Sequence, residues 1–237
     1  MTRKEIGVIG GVGPAATVEF LRRVVDMTDS ATDQGHADLV VLQHSSIPDR
    51  TAYVLDASRE NPGPVLAADA RRLEAMGVTA IVIPCNTARV FIAEIEAAVH
   101  TPVVDIVQRG AEAASMLSTP GARVGVLATD GTLASGTYAH ALKDLGHDIV
   151  VPRHDLQARV TELIYDEVKA GREPTRDKLD DAIRFLREQG AEVVILGCTE
   201  LSVAAVAWDL DSNVVDALDA LAESTIELAG CSVRTRR

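Results

Sequence analysis

The chain predicts an α/β fold made of two pseudo-symmetric parallel-sheet α/β domains with an active site between them. Three observations carry this. Short β-rich apolar runs alternate with amphipathic helical stretches along all 237 residues, the pattern of parallel βαβ units. The pattern restarts near the middle, where Arg123-Val124-Gly125-Val126-Leu127-Ala128 resembles Glu5-Ile6-Gly7-Val8-Ile9-Gly10. A cysteine then ends the same word twice: Leu73, Gly77, an apolar run and Cys85 in one half, and Leu186, Gly190, an apolar run and Cys198 in the other, with identical spacing. Cys85 falls 75 positions after Gly10, and Cys198 falls 70 after Ala128.

In the first half, Ile6 to Gly10 reads as a strand and Pro14 to Thr28 as a helix, with Pro14 at the first turn, where its missing N–H costs nothing. Ala37 to His44 holds a second strand, and Ser45 to Glu60 begins polar and irregular. Pro64 to Met76 is helical, with Leu66, Ala70 and Leu73 on one face, and Val78 to Ile83 is the third strand. A helix from about Ala88 to Val99, a strand at Pro102-Val103-Val104-Asp105 and a helix from Ile106 to Leu117 follow. The second half repeats the order: strand Arg123 to Thr129, helix Leu133 to Leu145, strand Asp148 to Val151, helices Ala158 to Ala170 and Thr175 to Gln189, then strand Val193 to Leu196. Val214-Val215-Asp216 echoes Val103-Val104-Asp105, and a last helix, Leu218 to Leu228, is placed to pack back on the first half. The expected units are 1–103, completed by 212–237, and 104–211.

Composition narrows the function classes. Hydrophobic residues make up 47% and charged residues 24%, ordinary for a globular protein, while 3% aromatics leaves the core to Val, Leu, Ile and Ala. A net charge of −12 argues against nucleic acid and anionic membrane as partners, and says little about a small anion held in a local field. No stretch reaches the length of a membrane helix, and the start Met1-Thr2-Arg3-Lys4-Glu5 lacks the features of a secretory signal, so a cytoplasmic location is expected. Three cysteines without regular spacing are no disulfide framework, and Cys231 reads as incidental. The histidines show no metal-ligand spacing, and there is no G-x-S-x-G elbow.

Each of Cys85 and Cys198 comes just past a buried strand, where α/β ligand sites form, with Asn86-Thr87 or Thr199-Glu200 beside it. Two sulfurs in matching places suit the movement of a proton from one face of a carbon to the other. A helix N-terminus beside a thiol favours the thiolate, and a two-base reaction needs one sulfur ionised and the other protonated. The competing reading is a pair of small buried core residues. Gly10-Gly11-Val12-Gly13-Pro14 is a strand-to-helix turn fit to hold an anion, with Gly11 at its centre. From Gly11 it also fits a loose dinucleotide pattern, yet the next strand ends in Gln43-His44-Ser45-Ser46 without the acidic residue a ribose requires. Arg50 reads as a loop residue able to clamp a carboxylate, or as a solvated arginine. Lys169 sits at a helix end, where a lysine ordinarily complements the dipole.

The chain resembles the aspartate/glutamate racemase superfamily, its aspartate racemase branch most closely. The resemblance rests on Gly10-Gly11-Val12-Gly13-Pro14-Ala15-Ala16-Thr17, Pro48-Asp49-Arg50-Thr51, Pro84-Cys85-Asn86-Thr87-Ala88 and Gly197-Cys198-Thr199-Glu200-Leu201, and spans essentially the whole sequence. It implies cofactor-independent racemisation of an amino acid in a homodimer, with Cys85 and Cys198 as the acid/base pair. By the same resemblance Asn86, Thr87 and Thr199 hold the α-amino acid. Thr129 and Thr132 form the matching loop of the second half, and Arg50, with Thr51 beside it, clamps the side-chain carboxylate. Lys169 helps to hold the substrate, and Glu200 stands where glutamate racemases carry His. Relatives commonly have His at the position of Arg89, so this chain places an added permanent charge near Cys85. The competing functions are a broader-specificity, glutamate or hydantoin racemase, a decarboxylase on the same scaffold, and a non-catalytic amino-acid-binding protein.

Overall fold

The structure, a computed structural model, describes residues 4–235. The first three and last two residues of the expected units therefore lie outside the described residues. Two four-stranded, wholly parallel sheets form. The first contains β1 (Ile6–Gly10), β2 (Leu39–Gln43), β3 (Ala80–Val82) and β4 (Val103–Val104) in the order β2-β1-β3-β4. The second contains β5 (Arg123–Leu127), β6 (Asp148–Val150), β7 (Ala191–Leu196) and β8 (Val214–Asp216) in the order β6-β5-β7-β8. The shared order is the structural form of the repeated sequence. Registers correspond too: Ile6 pairs with Leu39 and Ala80, and Val124 with Ile149 and Val193, after a register shift at Arg123. Residues 214–216 were expected to go with the tail to the first unit. They pair with Val194–Leu196 instead, because their Val-Val run satisfies the open edge of β7.

Helix α1 (Pro14–Met27) starts at Gly13 with Pro14 in its first turn and buries Ala16, Phe20 and Val24 at helical spacing. The two Val-Val-Asp words have one local explanation. Each is a short strand followed by a carboxylate cap: Asp105 accepts from the Val107 N–H at 3.0 Å at the start of α5 (Ile106–Leu117), and Asp216 accepts from the Leu218 N–H at 2.9 Å at the start of α11 (Ala217–Leu228).

These capped helices exchange sheets. Helix α5 leaves the first sheet and packs on β7 and β8 of the second; α11 leaves the second and packs on α1 and β3 of the first, and the two helices lie against each other. One apolar core therefore runs through both halves, from Val8 and Phe20 through Val107, Leu218 and Leu221 to Val126 and Ile195. Two further cores cover the outer faces. One packs α3 (Gly63–Ala75) and α4 (Ile92–Glu96) on the first sheet; the other packs α8 (His154–Glu162), α9 (Arg176–Glu188) and α10 (Thr199–Ala205) on the second. Burying one such Leu or Ile contributes about 1.5–3 kcal/mol. Arg23 adds a polar tie across the halves: its buried guanidinium bonds Glu19 at 2.7 Å, Asp216 at 2.6 Å, Asp219 at 2.7 Å and the Ser202 carbonyl at 3.0 Å.

Four local features differ from the sequence reading. Arg50–Leu55 forms a short helix, α2, capped by the Asp49 carboxylate. The stretch after Cys85 opens as a 3₁₀ turn, Thr87–Phe91, before α4. The expected helix from Leu133 to Leu145 is two, α6 (Asp130–Ala134) and α7 (Thr137–Asp144), broken at Gly136, whose φ of 68° is left-handed and suits glycine. Helix α8 continues as a π-helical turn, Leu163–Val168, a widening that recurs at functional sites and here delivers Lys169. Among the described residues no helix is long and apolar enough to cross a membrane.

Candidate active site

Parallel sheets bind ligands beyond the carboxyl ends of their central strands, where the chain leaves in opposite directions on either side. Here β1 and β3 of one sheet and β5 and β7 of the other present those ends to a single enclosed pocket. It is lined by Val12, Asp49, Arg50, Thr51, Cys85, Asn86, Thr87, Thr129, Lys169, Cys198, Thr199 and Glu200. Cys85 comes from the turn after β3 and Cys198 from the turn after β7, so the two sulfurs reach one cavity from opposite sheets, both as free thiols. The cavity measures about 10 Å³, space for a single water.

A hydroxyl cluster seals the seam between the halves. Thr129 caps α6 and lies 3.1 Å from the Thr51 hydroxyl and 3.2 Å from that of Thr87, while Thr87 and Thr132 are 2.8 Å apart. Thr132 thus stands behind the wall and supports Thr87 and Thr129. Beside the cluster, the buried Tyr138 hydroxyl donates to Asn86 Oδ1 at 2.7 Å, and Asn86 Nδ2 has no partner. Arg50 is buried too. It donates to the carbonyls of Pro48 at 2.9 Å and Ile47 at 3.2 Å through Nη1, while its Nε has no partner. A buried donor left unmade is costly, so two of them at one cavity mark where an acceptor belongs.

The two sulfurs meet different surroundings. Burial, with Glu200 beside it, pushes the Cys198 thiol well above the usual cysteine range, and its S–H points to Glu200 Oε2 at 3.1 Å. The start of α10 does not reverse this, because a seven-residue helix offers less than a carboxylate at contact and loss of water together take away. Arg50 is the cation beside Cys85: although burial opposes its charge, Cys85 and Asp49 raise its pKa. Lys169, more accessible than Arg50, has its pKa raised as well: partial loss of water opposes its charge, and Glu200 is the chief group that favours it; its ammonium lies 4.1 Å from the Tyr165 ring centroid and 3.8 Å from Asp49.

Gly11, expected to hold an anion, does not line the cavity. Its φ is 84°, a side chain there would strike the His44 backbone at 2.4 Å, and its N–H donates to Thr17 Oγ1 at 3.0 Å, so the turn closes on itself. The glycine that meets the site is Gly13. A Cβ there would sit 2.5 Å from Glu200 Oε1, so the turn of one half makes room for a carboxylate of the other. Arg89 does not face the cavity either; it pairs with Asp105, the cap of α5. The sequence reading passed over Asp49 and Val12 as lining residues. It also missed Tyr138, which lies in the first turn of α7 with no local motif to mark it.

The family model described as Asp/Glu/hydantoin racemase matches residues 9–225. The broad specificity amino-acid racemase RacX of Bacillus subtilis (strain 168) is 28% identical over 231 residues, covering 93% of this chain and 96% of that protein. A glutamate racemase of Koribacter versatilis is 34% identical over 128 residues, 54% of this chain and 43% of that one. Among solved structures, Picrophilus torridus aspartate racemase superposes with a TM-score of 0.84 at 28% identity, covering 98% of this chain and 96% of that one. Given the paired sheets and a match along nearly its full length, the chain belongs to the Asp/Glu/hydantoin racemase family and is an isomerase, an amino-acid racemase.

Proposed function

We propose that the protein interconverts L- and D-aspartate by two-base proton transfer at Cα, with Cys85 and Cys198 on opposite faces of the carbon and no step that calls on a cofactor. The observation that carries this is the joint lining of one pocket by two thiols, the buried Arg50 guanidinium, the Lys169 ammonium and two unpartnered donors. One sulfur, as thiolate, takes the α-proton; the other, as thiol, gives its proton to the opposite face, and the next turnover in reverse restores both. General acid–base positioning of this kind contributes about 10²–10⁴-fold. The larger demand is the charge that develops on the α-carboxylate as it becomes enediolate-like, met by donors already in place. Asn86, Thr87, Thr129 and Thr199 serve there, with Thr132 holding two of them. Arg50 and Lys169 take the side-chain carboxylate, with Thr51 beside Arg50 in the chain and tied to Thr129 across the seam. That pair of cations favours a dicarboxylate over the wider range named for RacX.

A cavity with room for one water does not admit aspartate, so the halves part to let it in and close to exclude solvent. The same reading divides the chain after β4, with α11 completing the first unit, and takes the working form to be a cytoplasmic homodimer. The test is a chiral assay of purified protein with each enantiomer of aspartate and glutamate in deuterated water, no cofactor added. Racemisation with deuterium at Cα is expected, and its loss in Cys85→Ala and in Cys198→Ala. Wild-type turnover in either variant refutes the two-base mechanism.

A further inference from the structure

We propose that Tyr138 is a positioning residue: its hydroxyl holds the Asn86 carboxamide with the N–H₂ group, and not the carbonyl, toward the carboxylate of the substrate. The inference rests on the racemase reading of the pocket and adds to it a residue that does not line the cavity.

An asparagine side chain has two faces of opposite sense, one donating and one accepting, and a half-turn exchanges them. Asn86 is 2% exposed and lines the pocket, so its orientation decides whether the developing enediolate meets two hydrogens or a lone pair. Tyr138 decides it. The hydroxyl lies 2.7 Å from Oδ1, and among the described residues it has no other hydrogen-bond partner. Were the amide turned, the phenol oxygen could accept from Nδ2, but the phenol's own hydrogen would be stranded in a fully buried place. As seated, the O–H is satisfied and Nδ2 is left over for a ligand, as its lack of any partner records. Burial, with Asp105, Asp216 and Cys198 nearby, pushes the phenol well above the ordinary tyrosine range, so it remains a donor at every working pH.

The seat of the ring is built into the chain. A Cβ on Gly197 would lie 2.8 Å from Cε2 of the ring, and one on Gly110 would lie 3.2 Å from the hydroxyl. Gly197 immediately precedes Cys198, so the backbone that presents the second sulfur also leaves space for the ring that orients the first sulfur's neighbour. Tyr138 belongs to the second half and Asn86 to the first. The amide is therefore oriented only while the halves are together, when water is excluded and a misdirected carbonyl would oppose the transition state most.

The test compares the full-length wild type with Tyr138→Phe, Asn86→Ala and the double variant, reading racemisation of aspartate, deuterium uptake at Cα and thermal unfolding. Loss of a preorganised donor should lower kcat by about 10²–10³-fold in Asn86→Ala, and Tyr138→Phe should lower it by roughly 10–100-fold with KM changed less than about threefold, because the freed amide still spends part of its time correctly turned. The double variant should match Asn86→Ala to within about threefold, since the hydroxyl acts only through the amide. Full kcat in Tyr138→Phe, or a double variant whose loss is the product of the two single losses, overturns the proposal. If Tyr138→Phe fails to fold, Asn86→Asp decides: it keeps an acceptor for the phenol but has no N–H, so activity as low as Asn86→Ala is expected and wild-type activity is disqualifying. A wild type that neither racemises nor exchanges the α-proton of any amino acid defeats the functional reading itself, and this proposal with it.

Discussion

Replacing Arg50 by alanine tests the substrate assignment most directly. The guanidinium is buried, is fixed by the Pro48 and Ile47 carbonyls through one nitrogen, and keeps Nε unpaired beside the cavity. A charge-assisted hydrogen bond to a carboxylate at such a site is worth about 2–4 kcal/mol, which at about 1.4 kcal/mol per decade is roughly 30- to 1,000-fold in kcat/KM. Because Arg50 also adjoins Cys85, its removal disturbs the thiol for every substrate. The informative quantity is thus a ratio. Aspartate and asparagine share an α-centre and differ in the charge of the side chain, so the loss common to both reports on the sulfur and the excess loss for aspartate reports on the clamp. The assay is deuterium uptake at Cα, followed for both amino acids in wild type and variant over long incubation. An excess of at least about 30-fold for aspartate is expected. Equal losses for the two amino acids refute the clamp.

The other predictions concern pH and stability. With Cys198 held well above its ordinary range, the direction of reaction in which Cys198 must first be a thiolate should keep accelerating into alkaline pH, and Glu200→Gln should move that rise to lower pH; a plateau below neutrality, or an unshifted profile in the variant, contradicts the assignment. Arg23→Ala removes the guanidinium that Asp216 and Asp219 share and one of the two that hold Glu19, which should cost about 3–5 kcal/mol, or roughly 6–20 °C in Tm for a chain of this size. The pH dependence has a definite sign. Burial would raise Glu19, but Arg22 and Arg23 bring its pKa below the ordinary value, so its stabilisation is present above the unfolded carboxylate range and lost as pH falls through the folded value; Asp216, raised chiefly by burial, is relieved by the same protonation. The Arg23→Ala deficit should therefore be greatest at neutral pH and shrink in acid, as denaturant melts at several pH values will reveal. A deficit that grows in acid contradicts the ion-pair account.

Much of this architecture is written locally. Strand and helix periodicity, the glycine-rich turn before Pro14, the two Val-Val-Asp words that turn out to be strand plus cap, and the repeated approach to Cys85 and Cys198 depend on near neighbours, so the chain by itself determined two matching α/β halves and a cysteine at corresponding strand ends. What lies between the halves depended on docking. Which sheet α5 and α11 would cover, that Gly11 would spend its N–H on Thr17 while Gly13 made way for Glu200, and that Arg89 would turn to Asp105 all follow from surfaces brought together by folding. The Tyr138–Asn86 bond joins residues 52 apart in sequence across that seam. Helical periodicity marks Tyr138 as a buried position, but only the packed structure gives its hydroxyl an acceptor, because hydrogen bonds of this kind are chosen by the geometry of the closed interface and by the cost of leaving a polar group alone within it.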